Sequence, residues 1–333
     1  MARVNGSTIR TLAALIALTS LSLTAHSRCN GIELHAHRGH FSHPENTLEA
    51  VLKALDGGFD AAEIDIQLLA DKKWVLHHDP VVGRVIKTTG IVPVSSMTSQ
   101  TWREASVVDR QGSTAPEKPA FFEEVLQSTD SSASNELSKL NIEIKGKYQC
   151  TDIRNAAFQL QNSKFSRSSF FTSIDLEALR CLRVIDSNRY LGVIVAPEIS
   201  SVQTKSTPIN SLISTLKLQA PEALRKAEAK YSNVFNRSLL SENEFNRLKN
   251  SFGNVGVHLD VSTLNKYPQL IIHAQRSGIK IYTYSSLGDI FHSKLILEIK
   301  RISNLVPSGA VIDGNPSLFC RRLEAAGLYV DKK

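Results

Sequence analysis

The chain predicts an α/β fold, a (β/α)8 TIM-type barrel carrying a loop/helix insertion. Short apolar, β-branched stretches recur along it, helical patterns lie between most of them, and 333 residues suit a single barrel domain. The strand candidates, in order, are 32–36, 62–68, 74–77, 140–144, 170–172, 191–196, 255–259, 279–284 and 310–312. Helical spacing marks 47–55, where Leu48, Val51, Leu52 and Leu55 share a face, and then 121–127, 152–161, 176–185, 267–276 and 289–302. Nine strand candidates exceed the eight that a barrel needs. The stretch from Ala70 to Lys73 is too short to hold a helix, so one unit is irregular. Residues 111–118 and 128–138, rich in Ser, Thr, Pro and Gly, flank the short helix at Phe121 as insertions or surface loops. A second insertion, 197–250, mixes Lys, Ser and Asn with helical patches.

The first 27 residues stand apart as a signal peptide, leaving 28–333 as the barrel domain. Arg3 and Arg10 supply a positive start, the run from Thr11 to Leu23 is apolar and uncharged, and Ala25-His26-Ser27 offers small residues for cleavage after Ser27. A retained anchor is the alternative, but the run falls short of the roughly 20 residues that span a bilayer. Lipid attachment at Cys29 is disfavoured by Arg28 directly before it. The mature chain has no membrane span and is expected to be exported, periplasmic or secreted.

Removing Arg3 and Arg10 with the leader takes the formal charge from +7 to +5. That excess suits an anionic small molecule. Without a basic block or an aromatic-interleaved stripe it does not point to nucleic acid. Four cysteines, Cys29, Cys150, Cys181 and Cys320, remain after cleavage, an even number for an oxidising compartment. They contain no CxxC pair, which argues against zinc. Cys150 with Cys181 and Cys29 with Cys320 is the favoured pairing, because barrel termini tend to meet; buried free thiols are the alternative.

The chemistry concentrates between His37 and Asp79. Glu63 and Asp65 sit two apart on a strand and therefore point to one face, where they can share a cation. Alone, such a pair more often marks a solvated face. Imidazoles move protons near neutral pH and a guanidinium grips two phosphate oxygens, so His37, His78 and Arg38 complete a phosphodiester-cutting set. His35, His40, His43 and His77 crowd the same region, and a lone histidine is usually structural. Alternation puts His77 and His78 on opposite faces. His37, Asp65, His78, Glu143 and Asp313 all fall at or near the carboxyl ends of strand candidates, where a barrel places its active site.

His37-Arg38-Gly39, then Pro44-Glu45-Asn46-Thr47, Glu63-x-Asp65, His78-Asp79 and Glu143-x-Lys145 follow one another in an order and spacing that resemble the glycerophosphodiester phosphodiesterase family. The resemblance runs to the segment Asp313-Gly314-Asn315-Pro316 and implies the same barrel fold. It implies His37 and His78 as acid and base, Arg38, Lys145 and Glu45 at the phosphate and substrate, and Glu63, Asp65 and Glu143 as ligands of one divalent cation, Ca2+ or Mg2+. Calcium is favoured for an exported enzyme. Asp79 is expected to orient an imidazole, Arg84 fits the pattern, and Asn46 or Thr47 also reads as a helix cap. The implied reaction splits a small-molecule glycerophosphodiester into glycerol 3-phosphate and an alcohol. Where the family commonly has Trp-Thr-x-Asn this chain has Tyr282-Thr283-Tyr284-Ser285, and Thr-Asp-x-Pro becomes Ile312-Asp313-Gly314-Asn315-Pro316. These departures keep sugar phosphodiesters of the opine type and lysophospholipids open as substrates. A barrel that only binds phosphate is the non-enzyme reading.

Overall fold

The computed structural model describes residues 29, 31–128, 139–196 and 241–328. Its elements run β1 (Glu33–Ala36), α1 (Leu48–Asp56), β2 (Ala61–Leu68), β3 (Trp74–Leu76), β4 (Ile86–Lys87), α2 (Ser99–Glu104), β5 (Ser106–Val107), α3 (Phe122–Gln127), β6 (Leu140–Ile144), α4 (Cys150–Gln161) and β7 (Phe170–Ser173). They continue with α5 (Leu176–Ile185), β8 (Leu191–Val195), α6 (Glu242–Phe252), β9 (Val255–Asp260), α7 (Val261–Lys266), α8 (Gln269–Arg276), β10 (Lys280–Tyr284), α9 (Asp289–Ser303), β11 (Gly309–Ile312) and α10 (Pro316–Ala325). Eight of the strands pair in parallel in the ring β1, β2, β6, β7, β8, β9, β10, β11, which closes on β1. The fold is a (β/α)8 TIM-type barrel.

The surplus strand is β3. It turns back on β2 through Leu69 to Lys73 and pairs antiparallel with it, Leu68 opposite Trp74 and Ile66 opposite Leu76. From there to α3 the chain makes an excursion that holds β4, α2 and β5. Val82, Val85, Ile86, Val94, Met97, Trp102 and Val107 bury a separate small core against Leu69, Val75 and Phe121. The sequence pattern marks only its end, 111–118, because β4 and β5 are two residues each and α2 is six. The second expected insertion, 197–250, is corrected at its far end. Residues 242–252 form α6, capped by the Ser241 side chain at the Glu244 amide and buried through Phe245, Leu248 and Phe252. Its polar remainder hid a narrow apolar stripe. The expected leader 1–27, the loop residues 129–138 and the insertion residues 197–240 lie outside the described residues. No helix among the described residues is long and apolar enough to cross a membrane.

Alternation along β2 explains how an apolar strand carries acids. Ala62, Ile64, Ile66 and Leu68 join Val51 and Ala54 of α1 and Val125 of α3 in the main core under the helices. Glu63, Asp65 and Gln67 are buried on the other face, inside the barrel. Gln67 spends its amide there, donating to the carbonyls of His77 (2.8 Å) and Asp79 (2.7 Å), which pins the His77-His78-Asp79 segment over the barrel mouth.

The amino-terminal half of the barrel interior is filled with rings. Tyr282 stacks on His258 (centroids 4.7 Å apart) and sits 5.1 Å from His35, with Tyr190 and Phe170 beside them. Tyr282 donates to Glu33 (2.9 Å), as does Lys139 (2.7 Å), so the buried carboxylate is answered. Space for the rings comes from glycine on the neighbouring strands: a Cβ at Gly309 would lie 2.4 Å from the Tyr282 ring, and one at Gly192 would lie 2.6 Å from His258 Nε2.

All four cysteines are paired as favoured from the chain ends: Cys29–Cys320 ties the entry to β1 to α10, and Cys150–Cys181 ties α4 to α5. Gly309→Ala is expected to lower stability by about 1–3 kcal/mol through overpacking against Tyr282, read as a fall in the urea midpoint at unchanged slope.

Candidate active site

A sharp turn after β1 builds the first wall of the site. The His37 amide continues the β1–β11 ladder to Ile312 O (2.9 Å), and the chain then turns through left-handed Arg38 (φ 58°) and Gly39 (φ 90°). Glycine is required there twice over, by the backbone angle and because a Cβ would lie 2.7 Å from Ala50 of α1. The turn carries His37 and Arg38 over the barrel mouth. It also aims the Arg38 amide at Glu63 Oε2 (2.8 Å).

Downstream, Thr47 is the N-cap of α1, its hydroxyl accepting from the Ala50 amide. Asn46, also left-handed (φ 57°), does something the sequence reading did not assign. Its side-chain N–H donates to Asp65 Oδ2 (2.9 Å) while its oxygen accepts from the Asp65 backbone amide (3.0 Å), so it holds Asp65 by side chain and main chain together. The only sequence signal was its place beside Glu45.

Glu63, Asp65 and Glu143 converge. Asp65 of β2 and Glu143 of β6 are direct register partners in the parallel ladder, and one carboxylate oxygen from each of the three residues lies within 4.8 Å of the others. Burial, then Asp65 and Glu143, push the Glu63 carboxyl up to about 8 against the pull of His37 and Lys145. Desolvation also raises Glu143 although Lys145 opposes it. Asp65 goes the other way: burial would raise it, but Lys145, His78, Arg38 and the Asn46 hydrogen bond together lower it. The cluster is therefore short of positive charge. An all-oxygen donor set in that state fits a hard divalent cation.

Lys145 lies against the same carboxylates, 2.6 Å from Glu143 and 3.2 Å from Asp65. Arg38 reaches Glu45 (2.9 Å), and its buried Nε, 3.5 Å from Asp65, has no hydrogen-bond partner among the described residues. Glu45 binds arginines. Its two oxygens are taken by Arg38 and by Arg84, which also holds Asp79 through Nε (2.7 Å) and Nη2 (3.1 Å). Burial opposes ionisation of Glu45, but the two guanidiniums outweigh it and hold it down at about 2.

Each imidazole is oriented by a carboxylate at Nδ1. His78 meets Asp79 at 2.8 Å, and His37 meets Asp313, at the end of β11, at 2.6 Å. Sequence reading had placed Asp313 at a strand end but not beside His37, since 276 residues separate them. The two rings differ electrostatically. Desolvation, Lys145 and Arg38 pull the His78 pKa down to about 4 despite Asp65 and Asp79. Desolvation and Arg38 also oppose charge on His37, but Asp313 and Glu63 outweigh them and its pKa is raised.

The remaining histidines stay out. His35 is inside the barrel between Tyr282 and Phe170, His40 stacks on Phe41, His43 bonds Glu117 (2.9 Å), and His77 turns away to Val81 O and the Trp102 ring. The region that departs from the expected pattern divides as well. Tyr282 points into the ring layer, whereas Tyr284, two residues on, donates to Val195 O (2.9 Å) across the carboxyl end of β9.

The model of the glycerophosphoryl diester phosphodiesterase family matches residues 37–313, from His37 to its partner Asp313. No curated protein matches the chain. Among solved structures it is similar to a glycerophosphodiester phosphodiesterase from Agrobacterium tumefaciens, at 17% identity and TM-score 0.57 over 87% of this chain and 99% of that one. A phosphodiesterase from Oleispira antarctica, in complex with the product sn-glycerol-3-phosphate, aligns at 17% identity and TM-score 0.58 over 88% and 96%. A glycerophosphodiester phosphodiesterase from Parabacteroides distasonis aligns at 14% and 0.57 over 89% and 98%. At such identities the structures testify to the shared barrel, and the family match across most of the chain settles kinship: the protein belongs to the glycerophosphoryl diester phosphodiesterase family and is a phosphoric diester hydrolase.

Proposed function

We propose that the protein hydrolyses glycerophosphodiesters to glycerol 3-phosphate and a free alcohol, with one divalent cation, Ca2+ or Mg2+, at Glu63, Asp65 and Glu143 and with His37 and His78 as acid and base. The observation that carries this is the meeting of those three carboxylates within 4.8 Å, with carboxylate-oriented imidazoles among their electrostatic neighbours. Family membership and the glycerol 3-phosphate in the Oleispira relative support the substrate class.

A cation bound there supplies Lewis-acid polarisation of the phosphate. The chain's own groups do the rest. Lys145 and the spare Nε of Arg38 offer positive charge and N–H donors to the non-bridging oxygens, and Arg84 and Glu45 hold the Arg38 guanidinium in place. His78, neutral near pH 7 and fixed through Nδ1 by Asp79, presents Nε2 to take the proton from the attacking hydroxyl or water. His37, whose pKa Asp313 raises, gives its proton to the departing alkoxide. With water as nucleophile a phosphorus–oxygen bond forms to it, the ester bond to the alcohol breaks, and one proton enters at His78 as one leaves His37; with the substrate's own hydroxyl as nucleophile the same step leaves a cyclic phosphate, which water opens to glycerol 3-phosphate with the two imidazoles exchanging roles. Imidazoles with pKa values driven apart are what divides acid from base. Export rests on the expected leader together with two disulfides, which persist outside the cytosol.

Purified mature protein should hydrolyse glycerophosphocholine or glycerophosphoethanolamine, lose the activity in EDTA and regain it with Ca2+ or Mg2+; EDTA-insensitive turnover would remove the cation from the scheme. A sugar phosphodiester of the opine type or a lysophospholipid turned over faster than either would move the site to that substrate. His37→Ala and His78→Ala should each lower kcat by about 10²–10⁴-fold, as loss of a general acid or base does, without loss of fold by circular dichroism. Asp313→Asn removes the main charge that raises His37, so the acid form should be lost at lower pH. The alkaline limb of the kcat profile should therefore shift to lower pH while the acidic limb, set by His78, stays.

A further inference from the structure

Asp289 opens α9, yet its carboxylate does not cap that helix, where the N-cap is Gly288 with no side-chain bond. It reaches instead to the loop after β11. Asp289 Oδ1 accepts the Asp313 amide at 3.0 Å. Only Asp313 and Gly314 lie between the end of β11 and Asn315, whose side chain caps α10 at the Leu318 amide (3.0 Å). The near end of this connection is held by the barrel and the far end by a cap. Its middle is held by Asp289. A Cβ at position 314 would lie 2.6 Å from Asp289 Oδ2, so the fit leaves no room for a side chain there. Asp289 is itself placed by α9, because His292, one turn later, bonds Thr283 of β10 (2.8 Å).

We propose that Asp289 is a positioning residue for the acid group, holding the Asp313–Gly314 turn so that the Asp313 carboxylate stays on His37 Nδ1. The role rests on the reading of His37 as acid. The physical need is specific: Asp289 and Asp313 are like-charged neighbours, and a free turn would let Asp313 swing away from both Asp289 and His37. The Asp313 N–H donated to Asp289 converts that repulsion into an anchor, and the amino end of α9 favours a negative charge at that place. Asp289 never touches substrate in this scheme. It acts only through Asp313.

The test is a set of variants in the full mature protein, assayed on glycerophosphocholine with saturating Ca2+ or Mg2+. Asp289→Ala should lower kcat by roughly 10–10²-fold, the cost of a misplaced catalytic group, with KM changed less than about 2-fold. Asp289→Asn keeps an acceptor oxygen and should retain activity within about 3-fold of the parent. In an Asp313→Asn background Asp289→Ala should cost no more than about 2-fold further, because groups acting as one unit are not additive. Gly314→Ala should reproduce the kcat loss, and should add nothing to Asp289→Ala, since the atom it collides with is gone. A full, multiplicative loss from Asp289→Ala in the Asp313→Asn background, or no loss in the parent, overturns the proposal. A crystal structure of Asp289→Ala decides independently of turnover: the 2.6 Å contact between His37 and Asp313 should be broken, and its retention refutes the anchor. If the parent hydrolyses no glycerophosphodiester, the functional reading fails while that structure still decides the anchor.

Discussion

Three carboxylates held within 4.8 Å of one another in a site that excludes most water are the constraint around which the protein is built. Such a group is unstable without counter-charge, because both desolvation and mutual repulsion oppose ionisation. The surroundings answer that demand in pieces. Lys145 lies against Asp65 and Glu143, the Arg38 amide serves Glu63, and Asn46 clamps Asp65 with one donor and one acceptor. What they do not supply is enough charge for Glu63. In the proposed scheme a cation and an anionic phosphate arriving there would each lower the cost of the other.

Barrel closure makes the convergence possible. Register sets Asp65 beside Glu143, and the ring of eight strands brings the end of β11 next to the end of β1, so that His37 meets Asp313. Below this layer the interior is a stack of rings and hydrogen-bonded polar groups, with glycine on β8 and β11 where the rings press closest. The lower layer is a floor. A guanidinium network runs from Asp79, the partner of His78, through Arg84 and Glu45 to Arg38. Displacing one member would disturb the others, so these groups act as one rigid frame.

Much of this was legible in the linear order. The strands were found to within a residue or so of each end, because a parallel barrel buries both faces and writes short apolar runs separated by helical spacing. The pairing of Glu63 with Asp65 and of Glu143 with Lys145, and the opposition of His77 to His78, follow from alternation; the choice of His78 comes from its place in the family pattern beside Asp79. The excursion between β3 and α3 was under-read since its elements are shorter than any periodicity can reveal, and α6 was hidden by a polar face. Glu45 was assigned to substrate, but the structure gives both its oxygens to arginines.

The amino-acid sequence by itself determined the barrel, the bounds of its ring strands, and which side chains share a strand face, because those depend on spacing between near neighbours. Tertiary structure alone decided who meets whom: Asn46 on Asp65, Asp313 on His37, Asp289 on the turn that carries Asp313. Those contacts join residues between 19 and 276 positions apart. Local periodicity carries no term for such separations, and only the closing of the sheet upon itself converts distance along the chain into contact across a pocket.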